Sequence, residues 1–194
     1  RDLHSFPTRR SSDLYSFNKS ASAFNPDKLL WLNQQHIMRA APERVAEYLK
    51  PQLAMLGVVV TDDRQLAAVV KALQVRAKTL REMAQNSVFF FRDFTAYDEK
   101  AAKKNLTAES VAPLRAVRDK LSALDEWSAA GVHDAVNHTA TELGLALGKV
   151  AQPVRVAITG TAVSPPIEVT LEVLGRATTL RRLDDALHYA AANG

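Results

Sequence analysis

Residues 148–187 read GKVAQPVRVAITGTAVSPPIEVTLEVLGRATTLRRLDDAL. Proline and glycine punctuate short apolar segments here, and arginines recur between them. By propensity alone, Val154–Ile158 and Ile167–Val173 are β-branched enough to be strands. Each segment nevertheless begins with proline and ends with glycine, which is the asymmetry of helices. The spacing therefore predicts three short helices: Pro153 to Gly160, Pro166 to Gly175, and Thr178 or Thr179 to about Ala191. That choice makes the chain all-α.

Upstream the helical signals are plainer. Asn25-Pro26 before Asp27-Lys28-Leu29-Leu30-Trp31-Leu32 is a helix start, with Asn25 as cap and Pro26 at the first helical position. This helix should run to about Met38. Pro42 opens a second, in which Val45, Ala46, Tyr48 and Leu49 keep helical spacing up to Leu56, before Gly57 ends it. Asp62 or Thr61 caps a third, with Leu66, Val69, Val70 and Leu73 as its apolar stripe. Thr79 begins a fourth through Leu80, Met83, Val88 and Phe91. The polar run Thr95–Thr107 holds a short exposed helix. A long helix carrying Val111, Leu114, Val117, Leu121 and Leu124 follows Thr107. Ser128 caps another with Val132, Ala135, Val136, Thr139 and Leu143, which Gly144 and Gly148 let stop and turn. No repeat of fixed period is present, so a solenoid is not supported.

Composition narrows the function classes. With 194 residues there is room for one domain or two small ones, and 47% hydrophobic residues suffice for a core. No apolar run approaches the roughly 20 residues that span a bilayer; Val88-Phe89-Phe90-Phe91 is the greasiest stretch. The absence of cysteine excludes disulfides and cysteine-ligated zinc, in keeping with a cytosolic protein. A net charge of +4 permits a polyanionic partner without demanding one. Arg1–Leu14, RDLHSFPTRRSSDL, has no periodicity and no signal-peptide core. It resembles translated sequencing-adapter sequence and, with the missing initiator methionine, reads as a non-native segment on a truncated frame.

Catalytic constellations are absent from the sequence. Gly148-Lys149 is no P-loop, because Val150 stands where Ser or Thr must hold magnesium and Leu143 replaces the first glycine. His133 and His138 are five apart and share no helix face for a metal, so they read as surface histidines. Asp184 and Asp185 read as a solvated helix face. Phe89-Phe90-Phe91, Phe94 and Tyr97 suggest an RNA-stacking platform, but their helical spacing reads better as core and domain contact.

Three blocks carry a family resemblance. Asn18-Lys19-Ser20-Ala21-Ser22-Ala23-Phe24 leads into Lys28-Leu29-Leu30-Trp31-Leu32-Asn33. Arg76-Ala77-Lys78-Thr79-Leu80-Arg81-Glu82-Met83 precedes Phe89-Phe90-Phe91. The third block is the stretch quoted first. In this order and spacing, from Tyr15 to the end, they resemble bacterial glutamyl-tRNA synthetases. The resemblance implies the all-α, helical-bundle anticodon-binding cage of these class I enzymes. Residues 15–40 would end the stem-contact region, and 41–107 and 108–194 would form two anticodon-binding subdomains. The His-Ile-Gly-His and Lys-Met-Ser-Lys-Ser signatures, which bind ATP in such enzymes, do not occur, and Asn18-Lys19-Ser20 is not the second of them. The intact parent would attach glutamate to its tRNA using ATP and magnesium. This chain would hold no catalytic residue, cofactor or metal. Its partners would be the anticodon arm of glutamate tRNA and the N-terminal catalytic domain of the same parent, working as a monomer in the cytoplasm.

The same resemblance places site residues. Arg76, just before the Thr-Leu-Arg-Glu block, would read the third anticodon base, and Arg155, within Pro153-Val154-Arg155, the middle base. Ser164 and Ile167 would lie against the first base, although Pro165-Pro166 departs from the commoner Thr/Ser-Pro-Gly loop. Lys149, Arg176, Arg181 and Arg182 would contact phosphates, which position RNA without reading it. The chemistry suits: guanidinium is a planar fork, and anticodon bases are single-stranded with open edges. Taken alone, Arg76 reads equally as a surface arginine paired with a carboxylate. Arg155 reads as a stem snorkelling past Val154, Val156 and Ile158, and Arg181-Arg182 as cations at a helix C-terminus. Two other classes compete: a helical protein-interaction domain with no RNA role, and a helix-turn-helix DNA binder, which would concentrate basic residues on one helix rather than spread them.

Overall fold

The computed structural model of the chain describes residues 25–193. Residues 1–14, read above as a non-native segment, and the Asn18–Phe24 block lie outside the described residues. Within them are ten helices and no strand: α1 (Pro26–Arg39), α2 (Pro42–Met55), α3 (Asp63–Leu73), α4 (Leu80–Phe91), α5 (Glu99–Asn105), α6 (Ala108–Ser122), α7 (Ala129–Glu142), α8 (Leu147–Thr159), α9 (Ile167–Leu174) and α10 (Arg176–Asn193). The chain is all-α, as expected.

Side-chain capping sets half of the starts. The Asn25 carboxamide accepts from the amides of Asp27 and Lys28 at 3.0 and 3.2 Å. Asp62, Thr79 and Ser128 cap α3, α4 and α7 with their side chains. Two starts differ from the sequence reading. Helix α8 begins at Leu147, so Pro153 lies inside it and Gly148 sits in its first turn instead of ending α7. Burial of Val150, Val154, Ala157 and Ile158 outweighs the single hydrogen bond the proline forgoes. Helix α10 begins at Arg176, not at Thr178 or Thr179. Gly175, at φ +84°, reverses the chain without a loop, and its carbonyl accepts from the Thr179 amide at 3.1 Å. Thr179 is thereby fully buried and is not a cap. Gly160 ends α8 as expected, at φ +77°; a Cβ there would stand 3.0 Å from the Phe94 ring.

The helices pack in two groups over one continuous core. In the first, α2, α3 and α4 bury Leu49, Leu53, Leu66 and Met83. The second comprises α6 to α10, with α10 lying along α6 and α8, and buries Leu114, Leu121, Ile158, Leu171 and Leu183. Helix α5, which the sequence grouped with the first set, packs on α8, and α3 touches α9. Helix α1 is tethered chiefly by polar contacts: Asn33 Nδ2 donates to the Lys78 carbonyl at 2.5 Å and Gln34 Nε2 to that of Val75 at 3.1 Å. Its Leu29, Leu30, Trp31 and Leu32 are exposed. The phenylalanines behave as core. Phe90 is buried, Phe89 and Phe91 pack against the core, and Tyr97 meets Tyr189 edge-on and Phe94 at a tilt.

One buried guanidinium ties the groups together. Arg182 is 3% exposed. Its Nη1 donates to the Ile158 carbonyl at 2.6 Å, and its Nη2 to the Phe89 carbonyl and to Asp93 Oδ1, both at 2.9 Å. The cation also lies over the Phe94 ring, 5.2 Å from its centre. One side chain of α10 thus holds the C-terminal end of α4, the Arg92–Phe94 loop and the end of α8. Arg181 grips the same carboxylate from outside, at 2.7 and 2.9 Å.

Removing a buried charge partner orphans the groups it satisfied, whereas an exposed pair contributes little. Arg182→Met should therefore lower stability by about 2–4 kcal/mol in urea denaturation. Arg181→Met should cost no more than about 1 kcal/mol.

The two arginines, by their hydrogen bonds, hold the Asp93 carboxyl below its ordinary value of 3.8. The folded state then binds that proton less readily than the unfolded chain. The associated stability is complete above the ordinary value and is lost as pH falls through the depressed one. In denaturant titrations at falling pH, Asp93→Asn should remove this part of the acid sensitivity. The part should be under about 1 kcal/mol, because the carboxylate is half-exposed and screened.

Candidate nucleic-acid interface

The site forms where the turn after α3 meets the loop between α8 and α9. Sequence fixes the turn tightly. Thr79 accepts from the Glu82 amide at 3.1 Å, and Glu82 Oε2 reaches back to the Lys78 amide at 2.9 Å. This is the reciprocal logic of a capping box, applied one residue upstream. The Asn33 and Gln34 carboxamides hold the same turn from α1 through the Lys78 and Val75 carbonyls. Between these fixed points sits Arg76, exposed, its amide bonded to the Leu73 carbonyl at 3.0 Å.

The opposing wall is built on α8. The Arg155 Nη1 donates to the Pro165 carbonyl at 2.8 Å, to the Ser164 carbonyl at 3.2 Å and to the Ser164 hydroxyl. Arg76 Nη1 donates to that same Ser164 carbonyl, also at 3.2 Å. Two guanidiniums 79 positions apart in sequence therefore converge on one oxygen. Together with Gln152, Val163 and Pro165 they line an open cleft of about 230 Å³. That is below the roughly 300–1,000 Å³ of sites for whole small ligands, so the cleft suits an edge or a group of a larger partner. Burial pushes the Arg155 guanidinium below the usual arginine range; the neighbouring Arg76 charge pushes the same way and Glu168 opposes it. Two nearby cations with little opposing charge favour an anion or an acceptor-rich edge.

The expected first-base pair fares unevenly. Ser164 is in the cleft, but it is 8% exposed and its hydroxyl and carbonyl are engaged by Arg155. It shapes the loop more than it presents a free group. Ile167 does not line the cleft: as the first residue of α9 it is 8% exposed and belongs to the core. Sequence reasoning missed Gln152. It lies three residues before Arg155, on the same face of α8, and that i, i+3 spacing was the available signal.

The phosphate candidates divide sharply. Lys149 is exposed and has no ion-pair partner among the described residues. Arg176 latches the start of α10 to the α6–α7 loop through the Leu124 carbonyl and lies over the Trp127 ring, 5.6 Å from its centre. Arg181 is bound to Asp93 and Asp185. Arg182 is buried, and its donors are taken by protein acceptors, so it cannot reach a phosphate. Nor do these two arginines sit at a helix C-terminus; they lie in the second turn of α10, and Asp93 explains them instead. Asp184 is likewise not simply solvated, because Arg118 Nε donates to it at 2.9 Å.

Loss of Arg155 removes the side chain that fastens the α8–α9 loop. Arg155→Met should leave the helices intact by circular dichroism. It should speed amide hydrogen exchange at Ala162, Val163 and Ser164 by about tenfold, the equivalent of one lost charged hydrogen bond of about 1.5 kcal/mol.

Comparison with known proteins gives consistent results. A family model described as an anticodon binding domain matches residues 44–187. The chain is 55% identical over 177 residues to a glutamate--tRNA ligase 1 of Alkalilimnicola ehrlichii, covering 91% of this chain and 38% of that protein. It is 51% identical over 177 residues to the glutamate--tRNA ligase 1 of Nitrosococcus oceani, with the same coverage. Among solved structures, a glutamate tRNA ligase from Elizabethkingia meningosepticum in complex with its amino acid superposes with a TM-score of 0.76. The two are 27% identical, over 85% of this chain and 32% of that one. The chain thus spans 38% of the length of these curated relatives.

Proposed function

Because the chain belongs to the anticodon-binding domain family, we propose that it recognises the anticodon arm of glutamate tRNA as part of a glutamate–tRNA ligase. The observation that carries this reading is the convergence of Arg76 and Arg155 on the Ser164 carbonyl at one open cleft. Both arginines come from blocks that resemble the synthetases, and they meet only in the folded chain. In this reading Arg76 reads the third base and Arg155 the middle base, each offering a planar donor fork to an unpaired base edge. Ser164 sets the loop on which the first base rests. Lys149 supplies a phosphate contact from α8, while Arg176 and Arg181 serve the fold first.

The parent would attach glutamate to the tRNA 3′ end in the cytoplasm, using ATP and magnesium. No group of three or more His, Asp or Glu side chains among the described residues could hold a metal ion. The work of this chain would be to position and select the tRNA. A protein-interaction domain without an RNA role draws no support from the family match or from the relatives.

Binding of the chain to glutamate tRNA transcripts tests the assignment. Arg76→Ala should cut discrimination at the third anticodon base by about 1–3 kcal/mol. Equal losses on cognate and altered anticodons would remove Arg76 from base reading. Lys149→Ala should instead weaken every transcript alike and make the salt dependence shallower by about one unit. An unchanged salt slope would exclude its phosphate contact.

A further inference from the structure

A second groove lies beside the arginine cleft, and Val163 borders both. It measures about 600 Å³, large enough for a whole nucleotide unit. One wall is a face of α4, where Gln85, Asn86 and Phe89 follow at helical spacing; Arg92, just past the helix in extended backbone, donates from Nη1 to the Leu56 carbonyl at 3.4 Å. The face therefore presents two carboxamides and an aromatic ring on successive turns. Gln85, Asn86 and Arg92 are exposed, and Phe89 is half-buried. None of the first three is buried in the core that α4 builds through Met83, Ala84, Ser87 and Phe90. The acidic neighbour in this groove, Asp93, is already neutralised by Arg181 and Arg182. Val163 is 77% exposed and stands at the border of the two spaces, an apolar tip with no core role.

We infer that this groove is a further nucleotide subsite, taking the anticodon-loop base that follows the third anticodon base, with Val163 as the wedge between the two spaces. The inference rests on the anticodon reading and extends it. Carboxamides are bidentate partners for base edges, and a half-buried ring offers a stacking face. Loop bases are recognised when splayed apart, and an apolar side chain between two of them holds that geometry. With its one carboxylate already paired with two arginines, the groove does not repel an RNA segment.

The test uses the full 194-residue chain and glutamate tRNA transcripts carrying 2-aminopurine at one anticodon-loop position at a time. In the wild type, the base entering the groove changes its fluorescence on binding. Gln85→Ala/Asn86→Ala should abolish that signal at one loop position and lower affinity about tenfold, while third-base discrimination survives. Arg76→Ala should do the reverse. Val163→Ala, which leaves α4 untouched, should reduce the signals of the two bases it separates. Wild-type affinity and an unchanged fluorescence pattern in both the double variant and Val163→Ala would overturn the subsite. If Arg76→Ala at the same time loses third-base discrimination, only the subsite fails. If Arg76→Ala also behaves as wild type, the anticodon reading falls with it.

Discussion

A single buried cation governs the geometry of this chain. Burying a guanidinium is costly unless its donors are met and its charge is balanced. Arg182 satisfies both conditions with groups from three separate places: the end of α4, the end of α8 and Asp93 between them. Burial lowers the Arg182 guanidinium more than Asp93 restores it, whereas the exposed Arg181 gains from the same carboxylate and is raised. These bonds hold the orientation of α10 against the ends of α4 and α8, and they leave the buried donors paired.

That orientation brings the candidate site together. Helix α8 carries Arg155 on one side and ends at Gly160, under the Phe94 ring that Arg182 covers. With α8 fixed to the end of α4, the turn before α4 stands opposite Arg155. Arg76 and Arg155 then share one carbonyl although they approach as like charges. The arrangement is stable because Ser164 and Pro165 supply acceptors and solvent screens Arg76, and it remains ready for an acceptor brought from outside.

The turn that holds Arg76 illustrates how local chemistry serves a distant purpose. Lys78-Thr79-Leu80-Arg81-Glu82 caps α4 on its own terms, through Thr79 and Glu82. Asn33 and Gln34 then fasten the same turn to α1. A flexible loop arginine would lose conformational entropy on binding; an arginine on a turn clamped from two sides loses less.

Local rules made much of this legible in the sequence. Apolar periodicity and caps fix helices wherever neighbouring residues decide, so Asn25, Asp62, Thr79, Ser128 and Gly160 were readable as starts and stops. The resemblance pointed to Arg76 and Arg155. The beginnings of α8 and α10 were not readable, because burial of Val150 and Val154 overrode Pro153, and Gly175 allowed a reversal that no propensity specifies. The role of Arg182 was hidden for the same reason. Whether an arginine meets a phosphate, a carboxylate or a row of backbone carbonyls depends on what lies across from it, and Phe89, Asp93 and Ile158 are far away in sequence. The sequence by itself determined the helices and the chemical type of the candidate residues. Tertiary structure alone decided which arginines face outward and which are consumed in holding the fold, since charge is encoded locally while its partner is supplied by packing.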